Sequence, residues 1–155
     1  MWQRIQTVFL GGLVLCLVVS LVQPIWHFTN ADMSAVLTPF YLLKTNQYQY
    51  VPYVLTAILS IAVITLAITS IRKYANRITQ LKIGALNSLL LVGVIGASAY
   101  FGSQMIKEFQ GGEYGLGLYL PAAGVVFNLL ANFFCLSSHE RTIQKEKLLL
   151  GNGRD

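Results

Sequence analysis

Charged residues are scarce in this sequence. Of its 155 residues, 11% are Asp, Glu, Lys or Arg and 55% are hydrophobic, and the mean hydropathy is +0.59. Soluble domains carry about 25% charged residues. A chain so poor in charge cannot cover a globular surface with polar groups, so we expect lipid to be the solvent for most of it.

Residues that build reactive or metal sites are also scarce. The two cysteines, Cys16 and Cys135, lie in separate apolar runs and form no CxxC pair, which excludes a dithiol redox enzyme. The two histidines, His27 and His139, are expected at opposite faces of a membrane, about 30 Å apart, and cannot ligate one haem or metal together. The sequence therefore predicts a protein that is not an enzyme and that has no cofactor or metal.

Four apolar runs are long enough to cross a membrane, which takes about 20 residues. Each lacks Asp, Glu, Lys and Arg, and they cover residues 5–26, 50–71, 83–102 and 116–137. We predict an all-α integral membrane protein with a four-helix transmembrane bundle over residues 1–137. A short cytoplasmic helix and a frayed tail are predicted over residues 138–155, because Ser137 and Glu140 have the spacing of a capping box.

The first run is a candidate signal peptide, and we expect it to be retained. Its apolar part is longer than the 7–15 residues typical of a signal peptide, and good small residues are missing near its end. A retained first run makes the protein a four-span protein with no removed leader.

Basic residues are divided unequally between the two ends of the predicted spans. Two lie in the first and third loops, and nine lie before the first span, in the second loop or in the tail. The two are Lys44 and Lys107, and the nine are Arg4, Arg72, Lys73, Arg77, Lys82, Arg141, Lys145, Lys147 and Arg154. The positive-inside rule then predicts that both termini are cytoplasmic. The net charge of +5 follows this orientation and does not indicate nucleic acid as a partner.

Aromatic and basic residues at the ends of the spans predict where the chain meets the membrane interfaces. Trp2, Arg4, Trp26 and Tyr74 are the predicted interface anchors, because amphipathic rings and basic side chains favour the headgroup layer. The first outer loop differs from the spans, since β-branched residues and the alternating stretch "NQYQYV" predict a small β-hairpin outside the membrane.

Asparagines are the notable polar residues inside the predicted membrane spans. Asn128 and Asn132 lie one turn apart on one face of the fourth span, and Asn87 in the third span is at a depth similar to that of Asn132. We predict polar contacts between these helices, with Asn87 and Asn132 as the expected pair. A polar ligand or partner site at the bundle centre is the alternative.

Small residues in the third span are spaced for close helix packing. Gly84 with Ser88, and Gly93 with Ala97, form two small-xxx-small steps. Such steps pack helices within one bundle or against a neighbouring subunit, and the sequence leaves both alternatives open.

Three short stretches carry a resemblance to a known family. The start "MWQRIQT" (residues 1–7), the exit "PIW" (24–26) and, more weakly, the tail (143–149) resemble a domain-of-unknown-function family of small four-span membrane proteins of Bacteroidetes. The resemblance implies a bacterial inner-membrane location and supplies no activity. The layout is also similar to that of claudins, although the cysteine pair of the claudin outer loop is absent.

These observations favour a non-catalytic integral membrane protein, namely an accessory or scaffold subunit of a larger bacterial envelope or membrane complex. Its expected partners are the lipid bilayer and other membrane protein subunits. The spans lack ionisable residues, which argues against an ion-coupled carrier or an intramembrane hydrolase. The alternative is a small oligomeric channel or carrier for a neutral or lipid-like molecule, lined by Asn87, Asn128 and Asn132.

Overall fold

Four long helices and a small antiparallel sheet form the computed structural model, which describes residues 2–30, 33–45, 47–73 and 77–151. The helices are α1 (Trp2–Val22), α2 (Val54–Arg72), α3 (Arg77–Phe109) and α4 (Leu116–Gly151). Each contains a stretch that is long and apolar enough to cross a membrane. The prediction of four such helices is confirmed.

The four helices pack as a bundle in which α1 and α3 each lie against both α2 and α4. The contact between α1 and α4 is the most extensive. The centre is filled by fully buried aliphatic side chains from all four helices, including Leu13, Val63, Leu91 and Ala131. Large apolar residues on the outer surface of the helices remain exposed, as expected where lipid is the solvent.

The ends of α1 and α4 differ from the predicted spans. α1 ends at Val22, four residues before Trp26, because Pro24 offers no backbone N–H and disfavours helix at the residue before it. α4 runs through Ser137 without a break, so no separate helix begins at the predicted capping box. Residues 138–150 contain neither Gly nor Pro, and nothing local ends the helix there.

The sheet has five strands, which is more than the single predicted hairpin. Four strands come from the segment between α1 and α2, and the fifth comes from the turn between α3 and α4. They are β1 (Trp26–Thr29), β2 (Ser34–Leu37), β3 (Leu42–Lys44), β4 (Gln47–Gln49) and β5 (Glu113–Tyr114), in the spatial order β4-β3-β2-β1-β5. The structure is therefore mostly helical with a sheet at one end, and it is not all-α.

One face of the sheet packs on the end of α3. Trp26, Leu37 and Leu42 are fully buried there, together with Met105 of α3. His27 lies between them in sequence and is exposed, as the alternation of side chains along a strand requires. We call the end of the bundle that carries the sheet the sheet end.

Candidate functional site

A cluster of uncharged polar side chains joins α3 to α4 inside the bundle. Asn87 is 1% exposed and Asn128 is fully buried. Asn87 Nδ2 donates a hydrogen bond to Asn128 Oδ1 at 3.0 Å. Asn128 Nδ2 in turn donates to Ser88 Oγ at 2.7 Å and to the Gly84 carbonyl oxygen at 3.3 Å. We call Gly84, Asn87, Ser88, Asn128 and Asn132 the asparagine cluster.

Depth alone predicts a hydrogen bond between Asn87 and Asn132. In the structure, Asn87 bonds to Asn128 instead. The reason is the register between the antiparallel helices, which places Gly84 opposite Asn132. A Cβ atom added at Gly84 would lie 1.9 Å from Asn132 Oδ1, so glycine leaves the space that this side chain fills. Asn132 Nδ2 makes a long contact of 3.5 Å to Ser88 Oγ. Asn132 thus lies at the rim of the cluster.

The direction of the hydrogen bonds is set by one backbone carbonyl. The Gly84 carbonyl oxygen can only accept hydrogen bonds. It accepts one from Ser88 Oγ, at 3.1 Å, and one from Asn128 Nδ2. Asn128 must therefore point its Oδ1 toward Asn87 Nδ2. This leaves Asn87 Oδ1 as a buried acceptor that has no hydrogen-bond partner among the described residues. The cluster can accept one further donor at that atom.

The two small-residue steps of α3 have different surroundings. Gly84 is buried against α4, as described above, and Ser88 belongs to the cluster. Gly93 is exposed, and a Cβ atom added there would come within 3.9 Å of Leu59 Cδ1 on α2. Ala97 is half-buried. The step of Gly84 and Ser88 therefore lies in the contact between α3 and α4, whereas the step of Gly93 and Ala97 lies next to an exposed surface.

Comparison with known protein families identifies the family of this chain. Residues 2–137 match the DUF4293 family, described as a domain of unknown function. The chain belongs to this family. The match includes the sheet and the asparagine cluster, and it leaves residues 138–151 of α4 outside. Comparison with curated proteins gave no match.

Within the DUF4293 domain, Trp26 is not at a lipid-facing surface, contrary to the prediction that it is an interface anchor. Its side chain is fully buried, stacked with Phe28 at 6.2 Å between ring centroids and tilted against Phe109 at 5.4 Å. The end of α1 before Pro24 allows Trp26 to enter β1, where it pairs with Leu37.

Three predicted anchors cannot be compared with the structure. Tyr74 lies outside the described residues, and so do the side chains of Trp2 and Arg4. Their placement at the membrane interface stays a prediction.

A second polar contact lies in the half of the bundle away from the sheet, and sequence reasoning missed it. Gln80 is 5% exposed and its Nε2 donates to the Ser70 carbonyl oxygen at 3.0 Å. Cys135 Sγ lies 3.8 Å from Gln80 Oε1. The sequence signal was weak, because Gln80 stands in a basic connection that was predicted to precede the third span.

An ion pair at the sheet end was also missed. Lys44 Nζ on β3 donates to Glu108 Oε1 on α3, and it lies 4.9 Å from the centroid of the Phe109 ring. Each partner lies in a different loop region of the sequence, 64 positions apart, so no local pattern indicates the pair. The contact fastens the sheet to α3, although an exposed pair of this kind contributes at most about 1 kcal/mol.

The ion pair borders a tyrosine with a perturbed pKa. Burial, followed by the Glu108 carboxylate, raises the pKa of the Tyr53 hydroxyl above its ordinary value of 10.0, and Lys44 opposes this shift. Tyr53 also packs edge-on against Phe101 at 5.3 Å. Because the folded-state pKa is raised, the neutral phenol stabilises the fold below about pH 10, and this contribution is lost as the pH rises further.

The arrangement supports hydrogen bonding and not acid–base or metal chemistry at the cluster. Its side chains are amides and a hydroxyl, which stay neutral at ordinary pH. Among the residues that the structure describes, no group of three or more His, Cys, Asp and Glu side chains is placed to hold a metal ion. The chemical capacity of the site is therefore to join helices, or to accept one donor at Asn87 Oδ1.

Replacing Asn128 by leucine is expected to lower the free energy of unfolding by about 2 kcal/mol. Three hydrogen bonds are lost, at about 0.6 kcal/mol each inside a membrane, and Asn87 Nδ2 loses its acceptor. The measurement is reversible SDS-induced unfolding of the purified protein in mixed micelles, followed by circular dichroism. Leu129→Ala is the matched control, because Leu129 is 56% exposed on the same helix. Equal effects of the two variants would contradict the role of Asn128.

Proposed function

We propose that this chain is a non-catalytic multi-pass membrane protein that serves as an accessory or scaffold subunit of a larger membrane complex. The observation that supports this proposal is the asparagine cluster, whose buried polar groups are uncharged and bond mainly to one another. Such a cluster fixes the packing of α3 on α4 and contains no reactive group. A rigid bundle with a structured sheet end suits a protein that presents surfaces to other subunits.

The proposed location is the inner membrane of a bacterium, with both termini in the cytoplasm. Its support is the division of basic residues in the sequence, because nine lie before the first predicted span, in the second loop or in the tail, and two lie in the first and third loops. At the sheet end, Lys44 is neutralised by Glu108. The resemblance of residues 1–7 and 24–26 to a family of Bacteroidetes supports the bacterial assignment.

The test is the native mass of the protein at its natural expression level. We expect a tagged chain, extracted in mild detergent, to migrate in a complex with membrane proteins at fixed stoichiometry. Deletion of the gene should reduce the mass of that complex, and re-expression should restore it. Migration at monomer mass, with no change in any membrane complex after deletion, would oppose the proposal.

A channel or carrier for a neutral or lipid-like molecule is the second candidate. One observation favours it, namely that Asn87 Oδ1, a buried acceptor inside the bundle, has no hydrogen-bond partner in the described part of the chain. The test uses purified protein in phosphatidylcholine vesicles, with glycerol uptake measured by light scattering and lipid exchange measured by dithionite quenching of a labelled phospholipid. Transport above that of empty vesicles, lost in Asn87→Leu and kept in Leu129→Ala, would favour this candidate. Rates equal to those of empty vesicles would count against it.

A further inference from the structure

Three tyrosine rings, two of them exposed, lie together at the edge of the sheet where β4 leads into α2. The Tyr41 and Tyr48 rings meet edge-on at 5.2 Å between centroids, and the Tyr48 and Tyr50 rings stack at 6.5 Å. Tyr48 is 57% exposed, Tyr50 is 58% exposed and the adjacent Val51 is 80% exposed. These four residues form a continuous apolar and phenolic surface, which we call the tyrosine edge.

The tyrosine edge is continuous with the outer surface of α2. Val54 N, at the start of α2, donates to the Tyr50 carbonyl oxygen at 2.9 Å, so the helix follows the edge directly. The first outward-facing residues of α2, Leu55 and Ile58, are apolar and at least half exposed. No charged residue occurs in the sequence from Thr45 to Ile71. No barrier of charge therefore separates the tyrosine edge from the helix surface that faces lipid.

The length of α2 fixes the depth of this edge. With 19 residues, α2 is about 28 Å long at 1.5 Å per residue, which is close to the hydrocarbon thickness of about 30 Å. Because α2 ends at Arg72, which cannot enter the hydrocarbon at low cost, its first residue must lie at the opposite boundary. Tyr50 and Val51 lie immediately beyond that boundary, at the level of the headgroups.

An exposed tyrosine of α3 lies at the same level. Gly93 of α3 is next to Leu59 of α2, and the two helices are antiparallel. Tyr100, seven residues beyond Gly93, is therefore level with the residue that lies seven positions before Leu59, which is Pro52. Tyr100 is 60% exposed. Exposed tyrosines from two separate segments thus mark one plane, as amphipathic rings do at a membrane interface.

We propose that the tyrosine edge lies in the headgroup layer of the bilayer, so that the sheet rests on the membrane through β4 and does not stand free in water. This inference rests on the proposed membrane location. The tyrosine edge carries no charge. Its contact with the bilayer should therefore depend on the boundary between hydrocarbon and headgroups and not on anionic lipid. It also keeps the exposed edge strand β4 away from the strand edges of other proteins.

The experiment measures the surroundings of single nitroxide labels by electron paramagnetic resonance. In a background of Cys16→Ala and Cys135→Ala, the full chain carries Val51→Cys, Thr29→Cys or Ile58→Cys and is reconstituted in phosphatidylcholine vesicles. Thr29 is exposed on β1, away from the tyrosine edge, and Ile58 is 57% exposed on α2. Oxygen, which dissolves in lipid, and a neutral nickel chelate, which stays in water, are the two collision partners.

We expect the label at residue 51 to lose most of the nickel collisions seen at residue 29 while it still collides with oxygen. Adding phosphatidylglycerol should leave this pattern unchanged. Removing the rings with Tyr48→Ser and Tyr50→Ser should raise nickel collisions at residue 51, with the helical circular dichroism unchanged as the check on folding.

Three results would overturn the inference. Nickel collisions at residue 51 equal to those at residue 29, with the label at residue 58 buried in lipid, would reject the membrane contact and leave the membrane location intact. Nickel access at residue 58 would reject both the membrane contact of the tyrosine edge and the membrane location of the protein. Protection of residue 51 from oxygen and nickel alike would show that protein, and not lipid, covers the edge.

Discussion

Replacing Gly112 by alanine is expected to lower the free energy of unfolding by about 3 kcal/mol or more. Gly112 has φ +98°, a conformation that costs a residue with a side chain about 1–3 kcal/mol. An added Cβ would also lie 2.5 Å from the indole ring of Trp26. That ring is fully buried and stacked with Phe28, so it cannot move without opening the core under the sheet.

The neighbouring glycine offers a matched control for this variant. A Cβ added at Gly111 would lie 3.4 Å from the ring of Phe28, which is an ordinary contact. We expect Gly111→Ala to change the stability by less than about 1 kcal/mol. Thermal unfolding in detergent, followed by near-ultraviolet circular dichroism of the buried aromatic rings, compares the two variants. A similar loss in both would show that the backbone conformation and the contact with Trp26 do not matter.

The four helices could be predicted from the sequence because lipid imposes a simple rule. A spanning helix must be apolar over its whole length, and the four runs satisfy that rule. The rule locates the apolar run and not the ends of the helix. α3 therefore continues past residue 102 through the mixed polar and apolar stretch 103–109, where it leaves the predicted span and supports the sheet.

The sheet could be predicted only in part, because most of its pairing is not local. The alternation in residues 46–51 indicated β structure and corresponds to β4. β5 has two residues, and its partner β1 precedes it by 86 positions or more, so no periodicity reveals it. Without β5 and the early end of α1, Trp26 resembles an interface residue, which explains why its burial was not foreseen.

For the asparagine cluster, the sequence predicts which residues take part but not which of them bond to each other. The sequence identifies Asn87, Asn128 and Asn132 as polar residues at depth, since each interrupts an apolar run. Which of them bond depends on the register of α3 against α4, and that register follows from the fit of Asn132 beside Gly84. Depth counted along separate spans cannot supply a register, because a shift of one turn changes every pair.

The junction between α1 and α4 connects the bundle to the sheet. The Gly115 amide donates to the Ile25 carbonyl at 2.8 Å, and the Gly117 amide donates to the Pro24 carbonyl at 3.0 Å. Ser20 Oγ in α1 donates to the Gly117 carbonyl at 2.9 Å. The start of α4 is thereby held against the end of α1, next to the place where β5 pairs with β1. A change at this junction should affect the bundle and the sheet together.

Replacing Gly115 by alanine is expected to lower the free energy of unfolding by about 4 kcal/mol. An added Cβ would lie 2.2 Å from the Pro24 carbonyl oxygen, which belongs to the backbone and cannot rotate away. Overpacking of this kind costs about 1–3 kcal/mol, and separating the two segments breaks two backbone hydrogen bonds of about 1 kcal/mol each. Reversible SDS-induced unfolding in mixed micelles gives the free energy.

Hydrogen exchange tests whether the loss arises at the junction. In Gly115→Ala, the amides of residues 113–118 should exchange faster than in the wild type, because β5 and the start of α4 lose their partners on Pro24, Ile25 and Trp26. Gly11→Ala is the control, since a Cβ added at Gly11 in α1 meets no other described segment of the chain within 4 Å. It should be neutral or slightly stabilising, because alanine favours helix over glycine by up to about 1 kcal/mol. Unchanged exchange in Gly115→Ala would mean that the sheet does not depend on this junction.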